Sequence, residues 1–185
     1  SKLFKYDEFI STTQKLESIK ENQEIKLTEN IRLQLFKYLS THKINRYFLL
    51  GEFTEGSKII PEIAESLEKY EDLLDTHYIT IFYYKFACMY FGNNDYHKTV
   101  FWLNKIINMK DVDIRSDIHS FARILNLISH YELANFDLVD YYLRSTYRFL
   151  IKKNDLHAFQ KIILRFVRRL SSITRDQLTD AFKDL

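Results

Sequence analysis

Apolar residues recur along this chain at the three- and four-residue intervals that place side chains on one face of an α-helix. The clearest case is a periodic run that ends at Phe91, followed by a short polar turn at Gly92 and a second run from Tyr96. This order predicts a helix, a tight turn and a second helix. A turn with a similar order of residue types follows at Ala134, 42 positions after Gly92. The pattern therefore indicates a repeated helix-turn-helix unit.

The predicted turns divide the chain into units of similar length. They fall at Gly51, Gly92, Ala134 and Ser171. The successive separations are 41, 42 and 37 residues. The predicted units span residues 28–74, 77–110, 114–153 and 155–185, preceded by an N-terminal helix. Since such units bury their apolar faces against their neighbours, residues 1–185 are predicted to form a single helical-repeat domain.

Local signals predict where several helices begin and end. Thr28 and Asp95 each precede a periodic apolar run and are predicted N-caps, because a short side-chain oxygen can accept from free amides of the first helical turn. Asp137 is predicted to cap a later helix in the same way. The polar tract 40–42 is expected to break a long helix, and the glycine-bounded stretch 51–56 is expected to be a loop.

The last two helices are predicted to start at residues 155 and 174. Thr174 and Gln177 have the spacing of a capping box, in which each side chain satisfies a backbone amide near the other. The sequence starts at Ser1 without a methionine and stops in the middle of this last pattern. We therefore expect it to be an excised piece of a longer protein.

Composition favours an all-α fold. The 185 residues include 3 glycines and 1 proline, far below the average usage of roughly 7% and 5%. Folds rich in strands need many such turn residues, whereas long helices with short connections do not. A hydrophobic content of 46% is ample for a core. The single Cys88 lies in an apolar run, where we expect a buried hydrophobic side chain.

The longest apolar stretch covers residues 78–91, includes Lys85 and is too short to span a bilayer. The first residues do not have the pattern of a signal peptide. The sequence therefore predicts a cytoplasmic protein without a membrane partner.

The residues around the first turn resemble the tetratricopeptide-repeat superfamily. The likeness is carried by Ala87, Tyr90, Gly92, Tyr96, Val100 and Leu103. Val100 stands where the family usually has alanine, and the spacing of 42 residues exceeds the family period of about 34. Residues 102–106 and 122–127 also resemble uncharacterised bacterial helical-repeat proteins. The superfamily likeness implies a right-handed superhelix of antiparallel helix pairs, whose first helices line a groove that holds peptides or segments of partner proteins.

The helix predicted over residues 116–134 carries a stripe of polar residues at offsets of four, three and four, which places them on one face. They are His119, Arg123, Asn126 and His130. Because this helix is otherwise largely apolar, we expect the stripe to line whatever opening remains, which the superfamily likeness makes the groove. The alternative is that Arg123 pairs with a nearby carboxylate and holds helices together; the candidates are Asp95, Glu132 and Asp137. Tyr83 and Tyr84 are predicted to supply apolar anchors for a partner.

Positive charge is concentrated between residues 141 and 175. This stretch has nine Lys or Arg and one Asp, a net charge of +8, so the remainder of the +2 chain carries −6. The residues assigned to this basic patch are Arg144, Arg148, Lys152, Lys161, Arg165, Arg168 and Arg169. Steps of four residues predict two basic rows on neighbouring helices.

Three interpretations of the basic patch stay open. In the first, the patch is a solvated face or a docking surface for the acidic face at residues 62–71 of another repeat or subunit. In the second, it binds an acidic protein. In the third, it binds nucleic acid, and Tyr141, Tyr142 and Tyr147 stack on bases.

Catalytic motifs are absent from the sequence: it has no glycine-rich phosphate loop, G-x-S-x-G, H-E-x-x-H or C-x-x-C. Two histidines on one stripe are too few ligands for a metal ion. The sequence therefore predicts a non-catalytic scaffold, without metal or cofactor, that binds a protein or peptide, with acidic segments among the candidates. The alternative is a nucleic-acid-binding or regulatory module that uses the patch 144–169, and self-association is a third hypothesis.

Overall fold

The computed structural model describes residues 2–21, 27–110, 114–152 and 158–170, and every regular element in these ranges is helical. The helices are α1 (Lys2–Glu21), α2 (Glu29–Leu50), α3 (Phe53–Lys58), α4 (Ile60–Lys69), α5 (Thr76–Gly92), α6 (Tyr96–Ile107), α7 (Ser116–Glu132), α8 (Phe136–Lys152) and α9 (Ala158–Leu170). A short 3₁₀ helix, Glu71–Leu73, follows α4. The predicted all-α class is confirmed. Within the described residues, no helix has the length and hydropathy of a membrane span.

The chain divides into two compact units, residues 1–75 and 76–185. In unit 1, α2 packs against α1 and α3, and α3 packs against α4. In unit 2, each helix from α5 to α9 packs against the next along the chain. Helix α7 also contacts α5 and α9, so it is the central helix of unit 2.

The two helix-turn-helix turns of unit 2 share one backbone geometry. Asn94 and Ala134 both adopt the left-handed conformation, with φ of 58° and 57°. The amide that follows each of them donates to a carbonyl five residues back, from Asp95 to Tyr90 O at 2.9 Å and from Asn135 to His130 O at 3.0 Å. The hairpins α5–α6 and α7–α8 therefore correspond with an offset of 40 residues, two fewer than the offset predicted from sequence.

Two predicted helix caps are confirmed. Thr28 Oγ1 accepts from the Ile31 amide at 3.4 Å, and Asp95 Oδ1 accepts from the Lys98 amide at 3.1 Å. Asp137 is different, because α8 already begins at Phe136 and places Asp137 inside its first turn.

Two other local predictions are wrong. Helix α2 runs through residues 40–42 without a break, and Ser40 is buried within it. The stretch 51–56 is only partly a loop: Gly51 ends α2 with φ of 70°, but Gly56 is a buried residue of α3. The helix starts predicted at residues 155 and 174 lie outside the described residues.

Unit 2 has an apolar interior. Between α5 and α6, the ring centroids of Trp102 and Phe86 lie 4.9 Å apart. The side chain of Phe86 is fully buried. Around α7, α8 and α9, a second cluster joins Leu127, Leu150 and Leu164. Burying each such side chain stabilises the fold by about 1.5–3 kcal/mol, so these clusters hold the helices in place.

Replacing Ala134 by glycine should stabilise unit 2. A residue with a Cβ in the left-handed conformation costs about 1–2 kcal/mol, whereas glycine loses roughly 0.5–1 kcal/mol through backbone entropy. We expect a rise in melting temperature of about 1–4 °C for Ala134→Gly. The control Ala122→Gly, in the middle of α7, should lose about 1 kcal/mol or more. A lower melting temperature for Ala134→Gly would contradict the assigned turn.

Candidate functional site

The predicted polar stripe lies on the interior side of α7. His119, Asn126 and His130 are 1%, 0% and 5% exposed, and Arg123 is half-buried. The exposed edge of α7 is opposite, where Phe121 is 40% exposed. The expectation that the stripe lines an opening is therefore wrong for the three buried residues.

The offset between the two hairpins explains this burial. With an offset of 40, the stripe corresponds to Ile79, Tyr83, Phe86 and Tyr90 of α5, all of which are buried. With the predicted offset of 42, it corresponds instead to His77, Ile81, Tyr84 and Cys88, all of which are half-buried. Two residues rotate a position by about 200° around a helix. An offset of 42 therefore matches the stripe to the outer side of α5, whereas the observed offset of 40 matches it to the interior side.

The contacts of the stripe are those of an interior. The His130 ring stacks on Tyr142 at 4.6 Å between centroids, with 14° between the planes. The Nδ1 atom of His130 lies 3.2 Å from Nδ2 of Asn135. Because the amide nitrogen donates this hydrogen bond, Nδ1 accepts it, and the proton of the neutral imidazole lies on Nε2. Burial lowers the pKa of His130. Neither amide atom of Asn126 has a hydrogen-bond partner within the described part of the chain.

Arg123 uses an aromatic ring instead of a carboxylate. Its Cζ lies 4.2 Å from the centroid of the Phe149 ring, which is cation–π geometry. Burial lowers the pKa of its guanidinium. In the ranges that the structure describes, Arg123 forms no ion pair, so the predicted pairing with Asp95, Glu132 or Asp137 is not found.

The two predicted aromatic anchors differ in exposure. Tyr83 is 8% exposed, and its ring lies 5.3 Å from that of Trp102, so it belongs to the core. Tyr84 is half-buried on the outer side of α5. Burial raises the pKa of Tyr84, and the nearby Cys88 thiol and Asp117 carboxylate raise it further. Burial also raises the pKa of Cys88, to about 11, which leaves its thiol protonated.

The basic patch forms the walls of a cleft between α8 and α9. The cleft has a volume of about 910 Å³. Its lining residues are Asp140, Leu143, Arg144, Tyr147, Arg148, Lys161, Leu164, Arg165 and Arg168. Five of the seven residues predicted for the patch are thus brought together. The other two, Lys152 and Arg169, are exposed but are not among the described lining residues.

The cleft combines cationic walls with an apolar floor. Arg144 and Arg148 are exposed on α8, and Lys161 and Arg165 are exposed on α9. Leu164 in the floor is 5% exposed, and Tyr147 is 47% exposed. Among the described residues, none of these four cations forms an ion pair. The guanidinium groups of α8 instead donate along their own helix, from Arg144 Nε to Asp140 O at 3.3 Å and from Arg148 Nε to Arg144 O at 3.4 Å.

The chemistry available in this cleft is anion binding. Among the described lining residues are five cationic side chains and one carboxylate, a net charge of +4. Sequence reasoning found the cations but missed the apolar floor, although residues 140, 143, 144 and 147 have the spacing of one helix face. The part of the chain that the structure describes contains no group of three metal-ligating side chains.

A smaller cavity in unit 1 was also missed by sequence reasoning. Its volume is about 280 Å³, and both Glu17 and Lys43 line it. These two side chains lie 3.8 Å apart, and Thr13 Oγ1 lies 3.2 Å from His42 Nδ1. Arg46 also lines it, so its described side chains carry a net charge of +1, less than the +4 of the cleft of unit 2.

The buried amide of Asn126 gives a direct stability prediction. A buried polar group without hydrogen bonds costs about 1–3 kcal/mol, and an apolar side chain of similar shape removes that cost. Asn126→Leu should therefore raise the free energy of unfolding by about 1–3 kcal/mol in urea denaturation. The control is Ser129→Ala, which removes a fully buried hydroxyl that donates to Leu125 O at 2.8 Å and should be neutral or destabilising. A destabilised Asn126→Leu would show that the amide is hydrogen-bonded in solution.

His130 should make stability depend on pH. Its pKa is lower in the folded chain than the unfolded value of about 6.5, so the unfolded chain takes up this proton first as pH falls. The contribution to stability is therefore complete above about pH 6.5 and is lost progressively below it, until the folded imidazole also protonates. His130→Phe, which keeps an aromatic ring against Tyr142, should lose less stability between pH 7.5 and pH 5 than the parent. His97→Phe, at an exposed position, is the control. Equal losses for His130→Phe and the parent would contradict the assignment.

No protein-family model, curated protein or solved structure matches the chain. What the protein binds must therefore be inferred from its own side chains.

Proposed function

We propose that this protein is a non-catalytic, cytoplasmic helical scaffold that binds an acidic segment of a partner protein in the α8–α9 cleft. The observation that carries the proposal is the cleft itself, with exposed cations on both walls, Arg144 and Arg148 on α8 and Lys161 and Arg165 on α9, and an apolar floor between them. An acidic segment that also carries apolar side chains complements both features.

The energetics favour a ligand with both kinds of side chain. An exposed ion pair contributes about 0.2–1 kcal/mol, so pairing with Arg144, Arg148, Lys161 and Arg165 supplies roughly 1–4 kcal/mol. A dissociation constant of 1 μM needs about 8 kcal/mol. The difference has to come from apolar burial on Leu143, Tyr147 and Leu164, at about 25 cal/mol per Å².

The same floor argues against nucleic acid as the main ligand. Leu143 and Leu164 offer nothing to a phosphate, and a single-stranded nucleic acid needs aromatic platforms along its path. Tyr147 is the one tyrosine among the described lining residues. The cluster of cations beside the exposed ring of Tyr147 could still bind a nucleic acid. Nucleic-acid binding is therefore the alternative that the experiments below distinguish from binding of an acidic protein segment.

We also propose that unit 2 forms the tetratricopeptide-like superhelix expected from the sequence. The shared turn geometry and the contacts of α7 with both α5 and α9 support this arrangement. The groove would then be lined by the outer sides of α5 and α7. Corresponding pairs there are Ile81 with Phe121, Lys85 with Leu125 and Cys88 with Ile128. These residues replace the buried stripe as groove candidates.

Charge reversal on both walls tests the cleft. The probe is a fluorescein-labelled 16-residue peptide with leucines on one helical face and glutamates on both flanks. Arg144→Glu with Arg165→Glu should weaken its binding by about tenfold or more in fluorescence anisotropy, equivalent to about 1.4 kcal/mol. The control Arg32→Glu with Lys110→Glu changes the net charge equally at two exposed positions outside the cleft.

Two further probes separate the alternatives. A peptide with every glutamate replaced by glutamine should bind about tenfold more weakly to the parent. A 12-nucleotide single strand should compete poorly; if it instead displaces the peptide readily, with a steep loss of affinity in salt, the protein binds nucleic acid. Equal binding of the acidic peptide to the parent and to the cleft variant would overturn the proposal.

A further inference from the structure

Unit 1 has an acidic surface on α4 and on the 3₁₀ helix that follows it. Residues 60–75 contain six Asp or Glu and one Lys, a net charge of −5. On α4, Ile60, Ile63 and Leu67 are buried, and the glutamates lie on the opposite, exposed side. The carboxylates of this acidic face that are exposed and form no ion pair among the described residues are Glu62, Glu68, Glu71 and Asp72. The acidic face is therefore opposite in charge to the cleft of unit 2.

Leu73 adds an apolar side chain to the acidic face. It lies in the 3₁₀ helix, directly after Glu71 and Asp72, and is 51% exposed. The one lysine of the segment, Lys69, is paired with Glu65 at 2.8 Å, so it neutralises that carboxylate and leaves the others. The acidic face thus presents carboxylates beside an exposed leucine. This is the combination that complements cationic walls and an apolar floor.

We propose that the α8–α9 cleft of one copy of this chain binds the acidic face of a second copy. This inference names a partner for the cleft and rests on the proposed function. The dimensions of the two surfaces agree. With a rise of about 1.5 Å per residue, Glu62 and Glu68 lie about 9 Å apart along α4, and the cations of each wall, four residues apart, are separated by about 6 Å. The row of carboxylates can therefore meet cations of both walls, while Leu73 buries apolar area against the 47% exposed ring of Tyr147.

The proposed contact joins two different surfaces, and each copy carries both of them. Such contacts close reciprocally into a dimer, or continue from copy to copy into a ring or an open chain. Because the charged groups are exposed on both surfaces, the association depends on salt as well as on protein concentration. An acidic segment of another protein competes for the same cleft, so its binding separates the copies.

Charge reversal on either surface tests the proposal. In sedimentation velocity at low salt, the parent should associate increasingly between about 10 μM and about 1 mM protein, the range of a weak contact. The face variant, Glu68→Lys with Glu71→Lys, should weaken this association by about tenfold or more, because like charges then meet in the contact. The cleft variant, Arg144→Glu with Arg165→Glu, should weaken it to a similar extent.

Mixing the two variants separates a lost contact from a lost fold. An equimolar mixture should associate again, because the intact cleft of the face variant accepts the intact face of the cleft variant. Two unfolded or distorted variants would not restore each other. The matched controls, Glu29→Lys with Glu132→Lys and Arg32→Glu with Lys110→Glu, make the same changes in net charge at exposed positions outside both surfaces. Each control alone should associate like the parent.

The outcomes separate this inference from the proposed function. A parent that stays monomeric over the whole range, or a mixture that stays monomeric, would overturn the inference. Association that persists in about 1 M salt, where charges are screened beyond about 3 Å, would also overturn it. If the glutamate–leucine peptide binds through the cleft and the parent is monomeric, the inference fails and the function stands. If the mixture associates and the peptide does not bind, the cleft takes the folded acidic face, and the proposed binding of a partner's segment fails.

Discussion

The hydrogen-bonded turn between paired helices is the constraint on which unit 2 depends. At Asn94 and at Ala134, one residue in the left-handed conformation reverses the chain. The next amide then donates to a carbonyl five residues back, which fixes the rotation of the second helix relative to the first. The side chains of the second helix take their orientation from that bond, and the placement of the α8 cations in the cleft depends on it.

Features that depend on residues three or four positions apart were predictable from the sequence. The caps at Thr28 and Asp95 use such a relation, because the side chain and the amide that it satisfies lie within one turn. The two basic rows are also local, since four-residue steps place Arg144 and Arg148 on one face wherever that helix packs. The all-helical class followed from the same periodicity and from the scarcity of glycine and proline.

Features that depend on packing between helices were not predictable. The order of residue types aligned the first turn with the second at Gly92 and Ala134, whereas the backbone conformation aligns them at Asn94 and Ala134. Polarity alone then placed Asn126 and His130 at a surface, although the structure buries them at positions that correspond to Phe86 and Tyr90. The cleft floor was missed for the same reason: leucines that line a cleft and leucines that fill a core have the same spacing.

The two sets of polar side chains in unit 2 differ in what they contribute. The amide of Asn126 and the Nε2 atom of His130 are buried without a hydrogen-bond partner among the described residues, which costs about 1–3 kcal/mol for each group. The burial of both side chains also closes the route to a partner. The cations of the cleft are exposed, so water weakens their mutual repulsion, and salt screens it at separations beyond about 8 Å at physiological ionic strength. A carboxylate that displaces this water between two walls meets several cations at once. The cations of the cleft therefore cost the folded chain little stability when the cleft is open, and they contribute to binding when a ligand fills it. For this reason the cleft, and not the buried stripe, is the candidate site.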